Sequence, residues 1–590
     1  MNRILNIIKV NTRVFASQWH FAPKLGIGLF LTSALMALIP FFESKTTELV
    51  INSFIKASDN QLAFIALFVI AYTLPTFIYS FKGYLETMNY IVLQEKWDLA
   101  ILRKRLDIDI ATYEKSNFQN LVSKIKDRGI YPLVNASDRM FPAVQNVLEI
   151  IISMVITISF DWRYMVAIFV GALPKFIIEL VYGRSVWGIW DAEAPIRKRF
   201  WDLQGYFQTT IGLVDLRLYQ SGNYLVKWVE KLVTTFTKKQ RKGEAKKTLF
   251  QILTGLVSAM AYAFIVISLV KEAKSGTILV GSLIFILASI RTFENAFAGL
   301  LLNIAKQYKD LLFAMDIFTF MDAVPVIENK GTLKIAAITE PPVIRFENVS
   351  FTYAGHTAPT LRNLNLEIRP GEKVALVGNN GAGKTTFVKL LCRVYDPTEG
   401  KITINGKDLR EYDLDEWWSI LGVLFQDYTT YNFTVKESIA MGRADSELDL
   451  AKITESALQS EAHEFIEKWE EKYDQPIGVD FAGVEPSRGQ RQKLSLARVW
   501  YRDPKIFILD EPTASVDAES EQKIFEKIET MSKLTTAILI SHRFSTVKKA
   551  DKICVMEQGL LKEVGTHSEL MALNGTYARL FDIQAKGYSE

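Results

Sequence analysis

The stretch VALVGNNGAGKTTFVKLL, Val374–Leu391, decides how the C-terminal half of this chain folds. Val374–Val377 form an apolar run of strand length, and the pattern from Lys384 onward is helical, so the glycine-rich segment between them is the connecting loop. The spacing fits G-x-x-x-x-G-K-[ST] in the strand-loop-helix setting that motif requires. Gly378, Gly381 and Gly383 allow the backbone to wrap closely, so the amides of Gly378, Asn379, Asn380, Gly381, Ala382 and Gly383 can point at phosphate oxygens. The helix that follows presents its positive end to the same anion, beginning with Lys384, Thr385 and Thr386. Lys384 is expected to neutralise β/γ-phosphates, and Thr385 to ligate Mg²⁺.

Further along, KIFILDEPTASVD (Lys505–Asp517) supplies an apolar strand, Ile506–Leu509, that ends in Asp510 and Glu511. Adjacent carboxylates at a strand end suit two tasks, with Asp510 as the metal partner and Glu511 as the base that polarises an attacking water. Just before that strand, EPSRGQRQKLSLAR (485–498) reads as a polar turn entering a helix.

The N-terminal half has different physics. The 590 residues are 49% hydrophobic and 23% charged, with a mean hydropathy of +0.11. Nearly all long uncharged runs precede residue 310. A helix needs roughly 20 mostly apolar residues to cross the hydrocarbon layer. Six segments qualify: Ala22–Phe42, Gln61–Phe81, Met140–Phe160, Tyr164–Tyr182, Leu249–Val270 and Ile278–Ile304. The stretches 82–139 and 183–248 hold Arg103, Lys104, Arg105, Arg197, Lys198, Arg199, Lys238, Lys239, Arg241 and Lys242, which assigns them and both termini to the cytoplasm. They read as helical extensions of the spans rather than disordered loops. Residues 1–21 read as an interfacial amphipathic helix. The two cysteines, Cys392 and Cys554, give no disulfide framework and no cysteine metal site.

With these residues in hand the sequence resembles an ATP-binding cassette (ABC) exporter half-transporter over essentially its whole length. The resemblance implies a type I exporter fold: a helical membrane domain of six transmembrane helices at 22–310, a linker at 311–342, and an α/β P-loop ATPase domain at 343–590. Pro486-Ser487-Arg488-Gly489-Gln490 resembles the family signature Leu-Ser-Gly-Gly-Gln, departing at Pro486 and Arg488. In the family this turn caps the ATP held by a second domain, so Ser487, Gly489 and Gln490 imply a homodimer. The resemblance also gives Tyr353 the adenine-stacking position, Gln426 a Mg²⁺-touching and sensing role, Asp517 the loop at the dimer seam, and His542 the γ-phosphate histidine. ATP and Mg²⁺ are the implied cofactors. Crosswise helices near Tyr113–Val122 and Gly212–Val226 are implied to rest beside Gln426, the second on the partner's domain.

Ionisable residues within spans are costly and usually face a cavity or a partner. Glu149, Arg291 and Glu294 are therefore expected to line the substrate path; the pair Lys175–Glu179 is a self-neutralising candidate, as is Arg291–Glu294. Pro75 and Pro174 are expected to kink their helices. The expected activity is ATP-driven export of an amphipathic substrate from the cytoplasm, across the cytoplasmic (inner) membrane. A modified peptide is favoured because VLFQDYTTYNFTVKESIAMG (423–442) resembles the matching segment of lantibiotic exporters. Lipid flipping, multidrug efflux and an ATP-gated channel or sensor stay open. No nucleic-acid partner is expected, since the soluble ABC factors that act on ribosomes or DNA lack membrane spans. The only cysteines come late in the chain, which leaves no nucleophile for an N-terminal leader-cleaving protease.

Overall fold

The structure is a computed structural model that describes residues 2–174, 177–178, 194–335, 340–444, 447–512, 516–531, 533–541 and 547–587. The chain divides into two compact units, Met1–Asp107 with Gln119–Ala323, and Ile108–Phe118 with Val324–Glu590.

The described residues of the first unit are almost all helical. After the helix Asn2–Phe21 come Pro23–Ile55, Gln61–Asp107, Met140–Phe160, Gly222–Lys274 and Val280–Met321, with shorter helices between. At about 1.5 Å per residue, the 47 residues of Gln61–Asp107 and the 53 of Gly222–Lys274 run far beyond the ~30 Å of hydrocarbon a span must cross. The excess carries Arg103, Lys104, Arg105, Lys238, Lys239, Arg241 and Lys242, so these basic stretches are continuous helix. Among the described residues five helices are long and apolar enough to cross a membrane: Pro23–Ile55, Gln61–Asp107, Tyr131–Phe160, Gln240–Lys274 and Val280–Met321. The remaining expected span, 164–182, is described only through Trp162–Pro174, an apolar helix too short to count alone. Lys175 and Glu179 lie outside the described residues. Pro75 is buried inside an unbroken helix, and Pro174 is the last residue of the apolar helix Trp162–Pro174.

Leu29, Ile286, Ile290 and Phe293 are fully enclosed in this unit, whereas Ile252, Leu256, Met260 and Phe264 stand exposed on Gly222–Lys274. A row of exposed apolar side chains on a helix suits lipid or protein contact rather than water. The helix Val280–Met321 continues through the first part of the segment that composition alone marks as a linker.

Among its described residues the second unit contains ten strands: β1 Ile344–Phe351, β2 Leu361–Ile368, β3 Lys373–Val377, β4 Glu399–Ile404, β5 Lys407–Asp408, β6 Leu421–Leu424, β7 Ile506–Asp510, β8 Thr536–Ile540, β9 Lys552–Glu557 and β10 Leu560–Gly565. They form an antiparallel sheet, β2-β1-β4-β5, and a six-stranded sheet, β10-β9-β3-β8-β7-β6. In the second sheet β3, β6, β7, β8 and β9 pair in parallel, with only β10 reversed. Every residue of β7 and of β8 is buried, as befits parallel strands covered on both faces. The register Leu424↔Leu509 and Leu509↔Leu539, with Leu376↔Ile540, brings the C-terminal ends of β3, β6 and β7 to one edge. That edge is where open parallel sheets hold ligands. A separate apolar cluster, including Val435, Ile439, Ile453, Ala457, Leu494 and Tyr501, packs the helical segment that carries the helix Arg488–Tyr501.

Candidate functional site

At this edge Gly378 and Gly383 sit where no larger residue fits. A Cβ on Gly378 would lie 2.2 Å from the Met556 carbonyl oxygen, and one on Gly383 2.7 Å from the Leu361 methyl Cδ2. Gly383 has φ +103° and Gly381 φ +79°, the left-handed region that glycine enters without strain. A Cβ on Gly381 would meet nothing within 4 Å, because that residue faces the opening of the loop. The loop, together with Thr360, Gln426, Asp510 and Glu511, encloses a cavity of about 500 Å³ lined by Asn380–Thr386.

Lys384, only 7% exposed, donates to the carbonyls of Gly378 at 2.7 Å and Asn379 at 3.1 Å. It therefore braces the loop into a ring around its own ammonium. Burial pulls its pKa below the usual lysine value, against the opposing pull of Glu511 and Asp510. Thr385 Oγ1 donates to Asp510 Oδ2 at 2.8 Å, joining the helix start to the end of β7. Gln426, two residues beyond β6, donates to Glu511 Oε2 at 3.2 Å. Glu511 adopts φ +53°, turning its carboxylate out of the strand line. Its backbone is tied on both sides, N–H to the Ile540 carbonyl at 2.9 Å and C=O from Gln492 Nε2 at 3.0 Å. A non-glycine residue held in that region is the kind of backbone strain that accumulates at reactive sites.

These residues fit a triphosphate and a hard cation. The hydroxyl of Thr385, the carboxylate of Asp510 and the amide oxygen of Gln426 are all oxygen donors, which Mg²⁺ prefers. The lysine and loop amides meet the anion's charge.

Tyr353, Ser487, Gly489, Gln490 and Asp517 are not among the residues that line the cavity. Tyr353, half-buried, sits with its hydroxyl 3.1 Å from Thr386 Oγ1, and its ring lies edge-on to Phe351 and Tyr395. Ser487 caps the helix Arg488–Tyr501 in a reciprocal box: its Oγ accepts from Gln490 N at 3.3 Å, and Gln490 Oε1 accepts from Ser487 N at 2.9 Å. Ser487 and Arg488 are exposed. Asp517 caps Ala518–Glu529 by accepting from Ser520 N at 2.9 Å. That hydrogen bond, with nearby Lys493, holds its carboxyl below the usual range. His542 lies outside the described residues. The two cysteine thiols are buried and pushed up to about 12, which makes them inert.

Two features escape motif reading. The short helix Ile110–Tyr113, capped by Asp109, folds with the second unit, and Tyr395 donates to the carboxylate of Glu114 just after it. The expected stretch Tyr113–Val122 holds the end of this helix and the start of the helix Ser116–Arg128, and no motif announces a four-residue helix. In the first unit, Lys82 Nζ donates to Gln145 Oε1 at 3.0 Å, and Gln145 Nε2 donates to Glu149 Oε1 at 2.9 Å. Glu149 is buried, Glu294 half-buried and Arg291 exposed. Lys82 and Gln145 sit on different helices 63 residues apart, so sequence spacing did not link them.

The ABC transporter family model matches residues 361–514, the segment from β2 to just past Glu511. Over 98% of this chain and 95% of that protein, the sequence is 26% identical to the subtilin transport ATP-binding protein SpaT of Bacillus subtilis. It is 29% identical to the ATP-dependent lipid A-core flippase of Salmonella paratyphi A (strain ATCC 9150 / SARB42), over 82% of each chain. The fold matches the structure of a bacterial Atm1-family ABC exporter with ATP bound at a TM-score of 0.81 and 21% identity, covering 95% of this chain and 98% of that one. A glycine-rich phosphate loop within the segment that matches the ABC transporter family, preceded by a helical membrane domain, gives this chain the fold of an ABC exporter with one nucleotide-binding domain fused to its membrane domain.

Proposed function

We propose that two copies of this chain sandwich two ATP molecules, each between the Lys384 loop of one copy and the Ser487 turn of the other, and export a modified peptide across the cytoplasmic membrane. One observation carries the dimer: the cavity is lined by the loop, Gln426, Asp510 and Glu511, while Ser487 and Gly489 belong to no part of that lining. The N-terminal end of the helix Arg488–Tyr501 has no acidic residue in its first turn, which leaves a positive helix end suited to an anion. The helix Thr210–Leu218 and the residue after it support the same reading, because Ile211, Leu218 and Tyr219 are among the most exposed large apolar side chains of the described residues. These apolar side chains suit a cover provided by the partner's nucleotide-binding domain.

Within the site, Lys384 and the loop amides bind the β/γ-phosphates. Tyr353 stacks on the adenine, and Asp517 lines the seam. Thr385, Gln426 and Asp510 hold Mg²⁺, which supplies charge neutralisation at the phosphates. Glu511 takes the proton from the attacking water, and His542 contacts the γ-phosphate. ATP bridging draws the two domains together and its hydrolysis lets them part. Ile110–Tyr113, joined by chain to the helix Gln61–Asp107, carries that motion toward the membrane helices. The relay from Lys82 through Gln145 to Glu149, with Arg291 and Glu294, forms the polar lining of the substrate path.

Peptide cargo is favoured by similarity to the subtilin transport protein along nearly the full length of both chains. Lipid flipping is the second reading, favoured by the higher identity to the lipid A-core flippase. ATP-dependent uptake into inverted membrane vesicles, run across lantibiotic-type peptides, labelled lipids and cationic dyes, tests both. Peptide accumulation against a gradient supports the first reading and lipid translocation the second. Flux that only dissipates gradients would mark a gated channel and overturn the pump.

A further inference from the structure

Gln426 begins a loop that does more than reach Glu511. Two residues on, the ring of Tyr428 packs against the apolar cluster containing Leu424, Leu496, Val499 and Phe507. Its hydroxyl donates to the carbonyl of Arg488 at 3.1 Å, the first helical residue after Ser487. Farther along the same helix, Arg498 donates to the Thr429 carbonyl at 3.0 Å and the Ser438 carbonyl at 3.0 Å, with its guanidinium 4.4 Å from the Tyr431 ring centre. The loop after Gln426 is therefore fastened at both ends of the helix Arg488–Tyr501. Of the two fastenings, only Tyr428 reaches the turn itself.

We infer that Tyr428 is a positioning residue for the composite ATP site: anchored by its ring, its hydroxyl fixes the Ser487–Gly489 turn relative to Gln426, so that the turn meets the partner's γ-phosphate in register. A phenol on a packed aromatic ring has few rotamers, so this contact sets a position at small entropic cost. Burial raises the Tyr428 pKa, which keeps the hydroxyl protonated and donating throughout the physiological range. Each movement of Gln426 is thereby passed to the turn that faces the other copy. The inference rests on the sandwich reading above.

The test is Tyr428→Phe in the full-length protein reconstituted in nanodiscs, where the ring keeps its packing and only the hydroxyl is lost. The KM for ATP is expected to rise about three- to tenfold, the range that loss of one hydrogen bond produces. The inhibition constant of ADP, which has no γ-phosphate for the turn to hold, is expected to stay within about twofold by the same reasoning. Combined with Ser487→Ala, Tyr428→Phe should add nothing, because both act through one turn. An unchanged KM, a parallel rise for ADP, or effects that simply add would overturn the inference. If Ser487→Ala by itself leaves ATP turnover untouched, it is the sandwich reading that fails, and the two failures are told apart by that single variant.

Discussion

The Glu511→Gln substitution separates catalysis from binding with little structural disturbance. The glutamine keeps the side-chain shape, and its amide oxygen can still accept from Gln426 Nε2, now 3.2 Å from Oε2. The backbone stays fixed by the Ile540 carbonyl at 2.9 Å and by Gln492 at 3.0 Å, so the strained φ of +53° is retained. What disappears is the basic carboxylate. A positioned general base contributes about 10²- to 10⁴-fold, or about 2.7–5.4 kcal/mol of barrier. Binding should not suffer, because the change removes one negative charge from the neighbourhood of the incoming triphosphate. Glu511 is also the leading charged influence on buried Lys384. Phosphate release at saturating ATP should therefore fall at least about 100-fold, while ATP drives a closed dimer that persists and can be trapped by cross-linking across the seam. Release within about tenfold of the parent protein would refute the base assignment, since that is below the range a general base supplies. A large loss of ATP affinity would instead make Glu511 a ligand.

Two further outcomes follow from the geometry. Tyr395→Phe removes the hydroxyl that donates to Glu114 beside the helix Ile110–Tyr113; basal ATPase should persist while stimulation by transported substrate drops several-fold, and equal loss of both rates in a reconstituted assay would argue against a transmitting role. The third concerns Lys384, whose folded pKa is depressed by burial. Triphosphate favours the protonated lysine, so above the depressed pKa binding must take up a proton, and affinity is fully present below that pKa and lost as pH rises through it. ATP titrations from neutral to alkaline pH should show weakening before the ordinary lysine range is reached, and Lys384→Met should remove that dependence along with most of the affinity.

Much of the site was legible because its parts are local. Gly378–Thr386 declares a phosphate loop by spacing alone, and its conformational demand is met by glycines at 381 and 383 with positive φ. Asp510 and Glu511 follow an apolar run that had to be a buried strand, and β7 is buried at all five positions. The spans from Pro23 to Ile55 and from Gln61 onward, and the helical nature of the basic stretches, were likewise readable from length and periodicity. The pairings that cross the chain were not readable. Lys82 with Gln145 and Glu149, Tyr395 with Glu114, and Tyr428 with Arg488 join residues 60 or more positions apart.

The sequence by itself determined the chemistry, because phosphate binding depends on contiguous backbone and on residue types that only one local conformation accommodates. It determined five helices of membrane-crossing length too, because a hydrophobic length is a property of one segment. Only the tertiary structure decided that Ile110–Tyr113 folds with the nucleotide-binding unit, that Gln426 reaches Glu511 through the register of β6 on β7, and that Tyr428 meets the Ser487 turn. Those contacts depend on how sheet and helices pack, which periodicity along one segment does not encode.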